Sequence, residues 1–229
     1  MTNFREGMTQ FRNGRYVGGP FDGQRPSKLI CVGRNYKKHA EELGNEVPAE
    51  PLIFLKPPSS LNDNGAPIVY PAISTNVNYE GEIGLVIAKT ARNIKAADAM
   101  DYVYGYTVVN DVTARDLQRK DGQWTRGKGF DTFCCVGSEI VERAQVDEAS
   151  LGVKTFVNGE LKQNGSIRDL IFPIPVILEF VSRFMTLEPG DLIATGTPEG
   201  VGPVNPGDVI RIEVAGVGTL ENTVVSEAI

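Results

Sequence analysis

The sequence predicts a β-rich α+β fold, and three observations carry that expectation. The 229 residues include 25 glycines and 14 prolines, a supply of turn-formers suited to many short strands. Apolar residues come in brief runs bounded by glycine, proline, asparagine or aspartate. Helical periods are few, and only Pro175 to Met185 shows an extended one. A chain of this length buries a full core without disulfide or metal staples. Its simplest division is a short N-terminal arm or hairpin over residues 1–26 and one domain over 27–229.

In chain order, Gly14 to Val17 and Gly18-Gly19-Pro20 read as the turns of the arm. Lys28 to Val32 is an apolar strand, and Lys37 to Gly44 a short helix closed by glycine. Leu52–Leu55 and Ile68–Tyr70 are strands broken by proline-rich loops. A strand containing Glu80 runs on to Ala88, a short helix covers Ala96 to Tyr102, and Val103 to Val109 is again a strand. Val112 to Lys120 supplies one or two helical turns, and Thr132 to Val141 is extended. Val153–Val157, Asn158-Gly159 and Glu160–Lys162 form a hairpin, because Asn-Gly fits a type I′ turn. In the Pro175–Met185 helix, Val176, Ile177, Phe180, Val181 and Phe184 form the face expected to pack on a sheet. Pro189-Gly190-Asp191 and Pro206-Gly207-Asp208 each launch a strand, and Thr219 to Val225 is the last one.

Charge and composition exclude several classes. A net charge of -6 and a sequence pI ≈ 5.0 argue against nucleic acid, since phosphate neutralisation needs a basic face. No apolar stretch is long enough to span a bilayer, and the N-terminus lacks the apolar core of a signal peptide, so a cytoplasmic location is expected. Cys31, Cys134 and Cys135 match neither a disulfide framework nor a zinc spacing and read as buried thiols. Asn164-Gly165-Ser166 has the form of a glycosylation acceptor but reads as a turn.

The chemistry centres on Glu80 and Glu82. On one strand their side chains share a face, where two carboxylates repel unless a proton, a lysine or a divalent cation stands between them. The strand continues apolar on both faces (Ile83, Leu85 and Ile87 against Gly84, Val86 and Ala88), which argues for burial over a solvated face. Asp111 offers a third oxygen ligand at the end of another apolar run, unless it is a turn or N-cap residue. The single histidine, His39, precedes Glu42 by three residues, so on a helix the carboxylate can orient or charge the imidazole for general-base work; the plain alternative is a surface histidine. Arg34, Lys56, Arg115 and Lys128 supply positive charge near these segments.

Together these segments resemble the fumarylacetoacetate hydrolase family from about Leu29 to Val225. The resemblance is carried by Val32-Gly33-Arg34-Asn35-Tyr36 with His39 and Glu42, Phe54-Leu55-Lys56-Pro57, Tyr79-Glu80-Gly81-Glu82-Ile83-Gly84 and Asn110-Asp111-Val112-Thr113-Ala114-Arg115-Asp116. It continues in Trp124 to Asp131, Val157-Asn158-Gly159-Glu160 and Thr195 to Gly202. The length is most like the single-domain acylpyruvase and oxaloacetate decarboxylase branch. Gly81 stands where relatives often carry a larger apolar residue, and Cys135 where many have proline. With only about 26 residues ahead of the core, the chain is not expected to act on fumarylacetoacetate itself.

The resemblance implies a mixed β-sandwich roll, a homodimer, and Mg²⁺ or Mn²⁺ held by Glu80, Glu82 and Asp111. It puts a catalytic dyad on His39 and Glu42 in a helix that acts as a lid, a substrate lysine on Lys128, and substrate contacts on Arg115, Gln118 and Thr197. Arg34 joins them as a further contact for an acidic substrate. The expected reaction is hydrolysis of a carbon–carbon bond in a 2,4-diketo acid of the acylpyruvate type, releasing pyruvate through a metal-held enolate. Decarboxylation of oxaloacetate or a related β-keto acid, and isomerisation of an unsaturated 2-keto diacid in aromatic catabolism, are the alternatives. A scaffold that binds a metal or small acid without turnover is the non-enzymatic one.

Overall fold

In the computed structural model, residues 9–42, 44 and 46–228 are described. Residues 1–8 of the expected arm, and Leu43 within the expected Lys37–Gly44 helix, lie outside the described residues. The Gly81–Ile87 strand is buried at every position, as apolar side chains on both faces require. It pairs antiparallel with Val103–Asp111 on one side and Leu192–Ala194 on the other. Beyond Leu192–Ala194 come the parallel Leu29–Gly33 strand and then Leu52–Lys56 at the edge. Val103–Asp111 divides its far side between Cys134–Val136, near its C-terminal end, and Glu139–Glu142.

The N-terminal arm is a hairpin that extends this sheet. Thr9–Arg12 pairs with Glu139–Glu142 and returns as Arg15–Val17 through Asn13-Gly14, both in the left-handed region that a type I′ turn demands. A second sheet of five strands runs Glu160–Ser166, Gly152–Val157, Val209–Val214, Gly218–Ser226 and Ile68–Tyr70. The Asn158-Gly159 turn joins its first two strands with φ of 51° and 82°. A small third sheet joins Val77–Tyr79 to Thr113–Ala114 and Gly202–Val204. Parallel and antiparallel pairs are mixed, and the fold is the strand-rich α+β roll expected. Asn164-Gly165-Ser166 forms the end of a strand, not a turn.

The main core lies between the two larger sheets. Ile83, Leu85, Tyr106 and Val108 meet Val153, Ile210, Ile212 and Leu220 there. A second apolar cluster, with Phe11, Tyr16, Leu29, Cys31, Val86, Val109 and Cys134, covers the opposite face of the large sheet. All three cysteines are buried and free. Where the sheets press together, Gly81 faces the partner sheet so closely that a Cβ would stand 2.1 Å from Thr155 Oγ1.

The Ile174–Phe184 helix packs into the main cluster through Ile174, Ile177, Leu178 and Val181, beside the Ala96–Tyr102 segment. Its buried stripe is therefore rotated from the one expected. Val176 and Phe184 are exposed, and Phe180 packs edge-on against Phe184. The helix lays its seam against a short helical turn as well as the sheets, and the bulkiest aromatic residues cap its outer side.

Candidate active site

Glu80 does not lie within a strand. Tyr79 pairs with Gly202 in the small sheet and Gly81 with Asn110 in the large one, so Glu80 is the step where the chain passes between them. The step is fixed by its backbone: the Glu80 N–H donates to Asn110 Oδ1 at 3.0 Å, and its carbonyl accepts from the Asp111 N–H at 2.9 Å. Glu82 sits on the strand proper, and Asp111 ends its neighbour. One oxygen from each of the three carboxylates lies within 4.8 Å of the others, and all three side chains are buried. Burial excludes the solvated-face alternative for the glutamates, and Asp111 is not a cap.

Three cations neutralise this floor. Lys128 Nζ bridges Glu80 at 2.7 Å and Asp111 at 2.6 Å; Arg115 reaches the other Glu80 oxygen at 2.5 Å. Lys56, wholly buried, donates to Asp111 and to the Val112 carbonyl. Among the described residues Glu82 has no such partner, and its carboxylate accepts the Gly196 N–H at 2.7 Å. The two glutamates are consequently driven apart. Burial alone would raise Glu80, but the Lys128 and Arg115 charges outweigh it and hold the carboxyl well below the usual range. Burial, reinforced by the charges of Asp111 and Glu80, pushes Glu82 well above that range. Lys128 is raised despite its burial, because Asp111 and Glu80 favour its charge.

The donor set fits a hard divalent cation. Three buried oxygen ligands converge, and among the described residues one of them has no cationic partner and the nearby Arg115 Nε no hydrogen-bond partner. Glu80, Glu82 and Asp111 are the residues that would hold the ion.

Above the floor lies a cavity of about 380 Å³ lined by His39, Arg34, Phe54, Arg115, Gln118, Trp124, Lys128 and Thr197 together with the three carboxylates. His39 is buried, not a surface histidine. Burial lowers its pKa; the charge of Glu80 opposes that shift and Arg115 adds to it. Its Nδ1 lies 3.5 Å from Glu42 but without hydrogen-bond alignment. Glu42 itself is at the surface, outside the cavity lining, and accepts the Gly200 N–H. The expected orienting bond is thus only an approach.

Two expected substrate contacts are partly committed elsewhere. Gln118 Oε1 accepts from Arg115, which leaves its amide N–H groups for a ligand. The Thr197 hydroxyl donates to the Gly81 carbonyl and accepts from Gln163, so toward a ligand it can only accept further. The helical turns expected from Val112 begin only at Arg115, after the two-residue strand Thr113–Ala114. That delay places Arg115 and Gln118 on the inward face of the Arg115–Asp121 helix. Phe54 and Trp124, quoted above only as members of motifs, and Arg119, which sequence reasoning did not single out, also line the cavity. Nor did it find the pairing of Lys56 with Asp111, for which the one signal was an isolated lysine ending an otherwise apolar strand.

A strand-rich mixed fold carrying a buried three-carboxylate floor beneath a small polar cavity defines a class: proteins able to hold a divalent cation beside a small molecule. The model for the fumarylacetoacetate (FAA) hydrolase C-terminal domain matches residues 28–225, and the chain belongs to that family. It is similar to the mitochondrial oxaloacetate decarboxylase of Dictyostelium discoideum, with 46% identity over 197 residues covering 84% of this chain and 90% of that protein. It is also similar to the oxaloacetate tautomerase YisK of Bacillus subtilis, at 44% identity over 212 residues, 87% of this chain and 70% of that one. The crystal structure of 2-hydroxyhepta-2,4-diene-1,7-dioate isomerase from Mycobacterium marinum superposes with a TM-score of 0.81 at 46% identity, covering 89% of this chain and 76% of that chain. These named relatives are enzymes. No helix among the described residues is long and apolar enough to cross a membrane.

Proposed function

We propose that this chain is a Mg²⁺- or Mn²⁺-dependent hydrolase that cleaves a carbon–carbon bond in 2,4-diketo acids of the acylpyruvate type and releases pyruvate. The observation that carries the reading is a buried His39 lining the same cavity as the carboxylate floor. A cation bound by Glu80, Glu82 and Asp111 would supply Lewis acidity toward the carboxylate and 2-keto oxygens of such a substrate. Arg115 and the Gln118 amide, which line the cavity, would orient the acid end. His39 takes a proton from water as the water oxygen adds to the distal carbonyl, and Lys128 offers its charge to the oxygen that becomes negative. The bond between C3 and C4 then breaks, its electron pair passes to C3, and the proton held by His39 completes pyruvate. Glu42 supports His39 electrostatically across 3.5 Å. A homodimer belongs to the same proposal and is read by sedimentation.

Decarboxylation of oxaloacetate is the second reading, favoured by the similarity to the Dictyostelium discoideum enzyme. It needs no attacking water, so His39 separates the two. Pyruvate release from acetylpyruvate and from oxaloacetate is compared with and without EDTA, for the parent and His39→Ala. Hydrolysis predicts acetylpyruvate cleavage that is lost in the variant; cleavage at the parental rate in His39→Ala, or turnover indifferent to EDTA, contradicts the scheme.

A further inference from the structure

Among the described residues, two side-chain ties leave the Lys37–Glu42 helix, and both end on the loop of residues 195–201. Glu42 accepts the Gly200 N–H at 3.0 Å, and Lys38 approaches Glu199 at 3.6 Å. A helix of six residues depends on such outside contacts. The loop is in turn fastened to the chain that carries Glu80 and Glu82. The Gly196 N–H donates to Glu82, the Thr197 hydroxyl to the Gly81 carbonyl at 2.9 Å, and the Tyr79 hydroxyl to the Gly200 carbonyl at 2.7 Å. One residue of the second sheet completes the fastening. Gln163 is 1% exposed and is the single buried position of the Glu160–Ser166 strand. Its Oε1 accepts the Gly81 N–H at 3.0 Å, and its Nε2 donates to Thr197 Oγ1 at 2.8 Å and to the Pro198 carbonyl at 2.9 Å. The amide can sit only this way round, because the Gly81 N–H can only donate and the Pro198 carbonyl only accept. Gln163 and Thr197 thus close a ring from the Gly81 N–H to the Gly81 carbonyl, at the residue between the two glutamates.

We propose that Gln163 is a positioning residue for His39. It pins the 195–201 loop to the backbone of Gly81, and the loop, through Gly200 and Glu199, sets the Lys37–Glu42 helix so that His39 lines the cavity. Gln163 itself is not part of the cavity lining and acts through the loop alone. Its amide supplies an acceptor and a donor at once, whereas a carboxylate offers only acceptors and an apolar side chain neither. The part of Gln163 in turnover rests on the hydrolase reading above; its part in placing His39 does not.

The test reads where His39 sits, without turnover. His39 is the sole histidine, so its acylation by diethylpyrocarbonate at fixed pH reports the exposure of one imidazole. A maleimide reports general opening of the core through the buried Cys31, Cys134 and Cys135. In Gln163→Met, His39 is expected to react about tenfold faster than in the parent, the factor carried by one hydrogen bond, while the thiols stay as protected as before. Tyr79→Phe, which frees the same loop only at Gly200, raises the rate by a smaller factor. Thr155→Ala alters the same sheet contact, but its hydroxyl has no hydrogen-bond partner among the described residues, and the rate stays parental. With acetylpyruvate, Gln163→Met lowers kcat and leaves KM near the parental value. An unchanged His39 rate in a folded Gln163→Met overturns the proposal, as does a rise matched by thiol labelling, which would make Gln163 a core residue only. If that variant does not fold, Tyr79→Phe decides, and an unchanged rate there is equally fatal. Faster acylation in a protein that never cleaves acylpyruvates upholds the placing of His39 while the hydrolase reading fails; cleavage at the parental kcat in Gln163→Met overturns the positioning role.

Discussion

The carboxylate floor stands on and beside strands buried on both faces, with Glu80 and Asp111 matched by lysine or arginine and Glu82 without a cationic partner among the described residues. His39 stands on a six-residue helix, Lys37–Glu42, held by the burial of His39 and Ala40, the Glu42 bond to Gly200 and a loose Lys38–Glu199 approach of 3.6 Å. A helix that short has no stability of its own. The two regions meet in one cavity yet depend on different parts of the molecule. Damage to the floor should appear as lost stability and lost cation binding, and damage to the helix as lost turnover.

Asp111→Asn tests this division most severely. It leaves the Lys56 and Lys128 ammoniums buried with a weakened partner, and breaking such a pair costs about 3–5 kcal/mol. Urea unfolding reads the loss and calorimetry the accompanying loss of Mg²⁺ binding; a midpoint equal to the parent's would mean the floor is not a neutralised network. His39→Ala is expected to slow acylpyruvate cleavage on the order of 100-fold, the lower end for a general base, while Mg²⁺ affinity stays near the parental value. A variant that instead lost the cation would erase the distinction between floor and helix.

Glu82 supplies the pH test. Its carboxyl is raised in the folded, cation-free protein, so the folded form keeps a proton that the unfolded chain releases above the ordinary glutamate value of 4.5. Stability of the cation-free protein therefore falls as pH rises from there through the raised pKa, at up to about 1.4 kcal/mol per pH unit. Over that range cation affinity rises, because binding must expel the proton. Glu82→Gln should flatten the stability slope, as followed by thermal melts at several pH values; an unchanged slope would mean Glu82 is ionised in the free protein. The smallest effect is expected from Glu42→Gln, which keeps the shape but weakens the field at His39. A several-fold loss of turnover, less than about tenfold, with no change in Mg²⁺ affinity would place Glu42 behind His39 and not beside it.

The same two regions show what the sequence could reveal. Local patterns were legible: the Asn158-Gly159 turn, the unbroken apolar run after Glu82 and the apolar strands around it all recur in the fold. The convergence of Glu80, Glu82 and Asp111 could be anticipated because each sits at or beside the end of an apolar strand. The step at Glu80 could not, since it depends on Tyr79 and Gly81 choosing partners more than a hundred and nearly thirty residues away, Gly202 and Asn110. The rotated stripe of the Ile174–Phe184 helix has a similar cause. Its sequence offers apolar side chains around much of the circumference, and only the tertiary neighbours select Ile174 and Leu178 over Val176 and Phe184. Trp124 lay inside a motif carrying the resemblance and Arg119 beside Gln118, but no local pattern says which of these side chains the fold turns toward the cavity.

The close approach of Gly81 to Thr155 has an evolutionary corollary. A methyl group at position 81 collides with a hydroxyl that has no hydrogen-bond partner among the described residues, so position 81 cannot grow while Thr155 keeps that hydroxyl. Gly81→Ala should be poorly tolerated by itself and substantially rescued by Thr155→Ala, a sign of epistasis between the strand bearing Glu82 and the opposite sheet. The spacing of Glu80 and Glu82 is thereby tied to the packing of the opposite sheet against position 81.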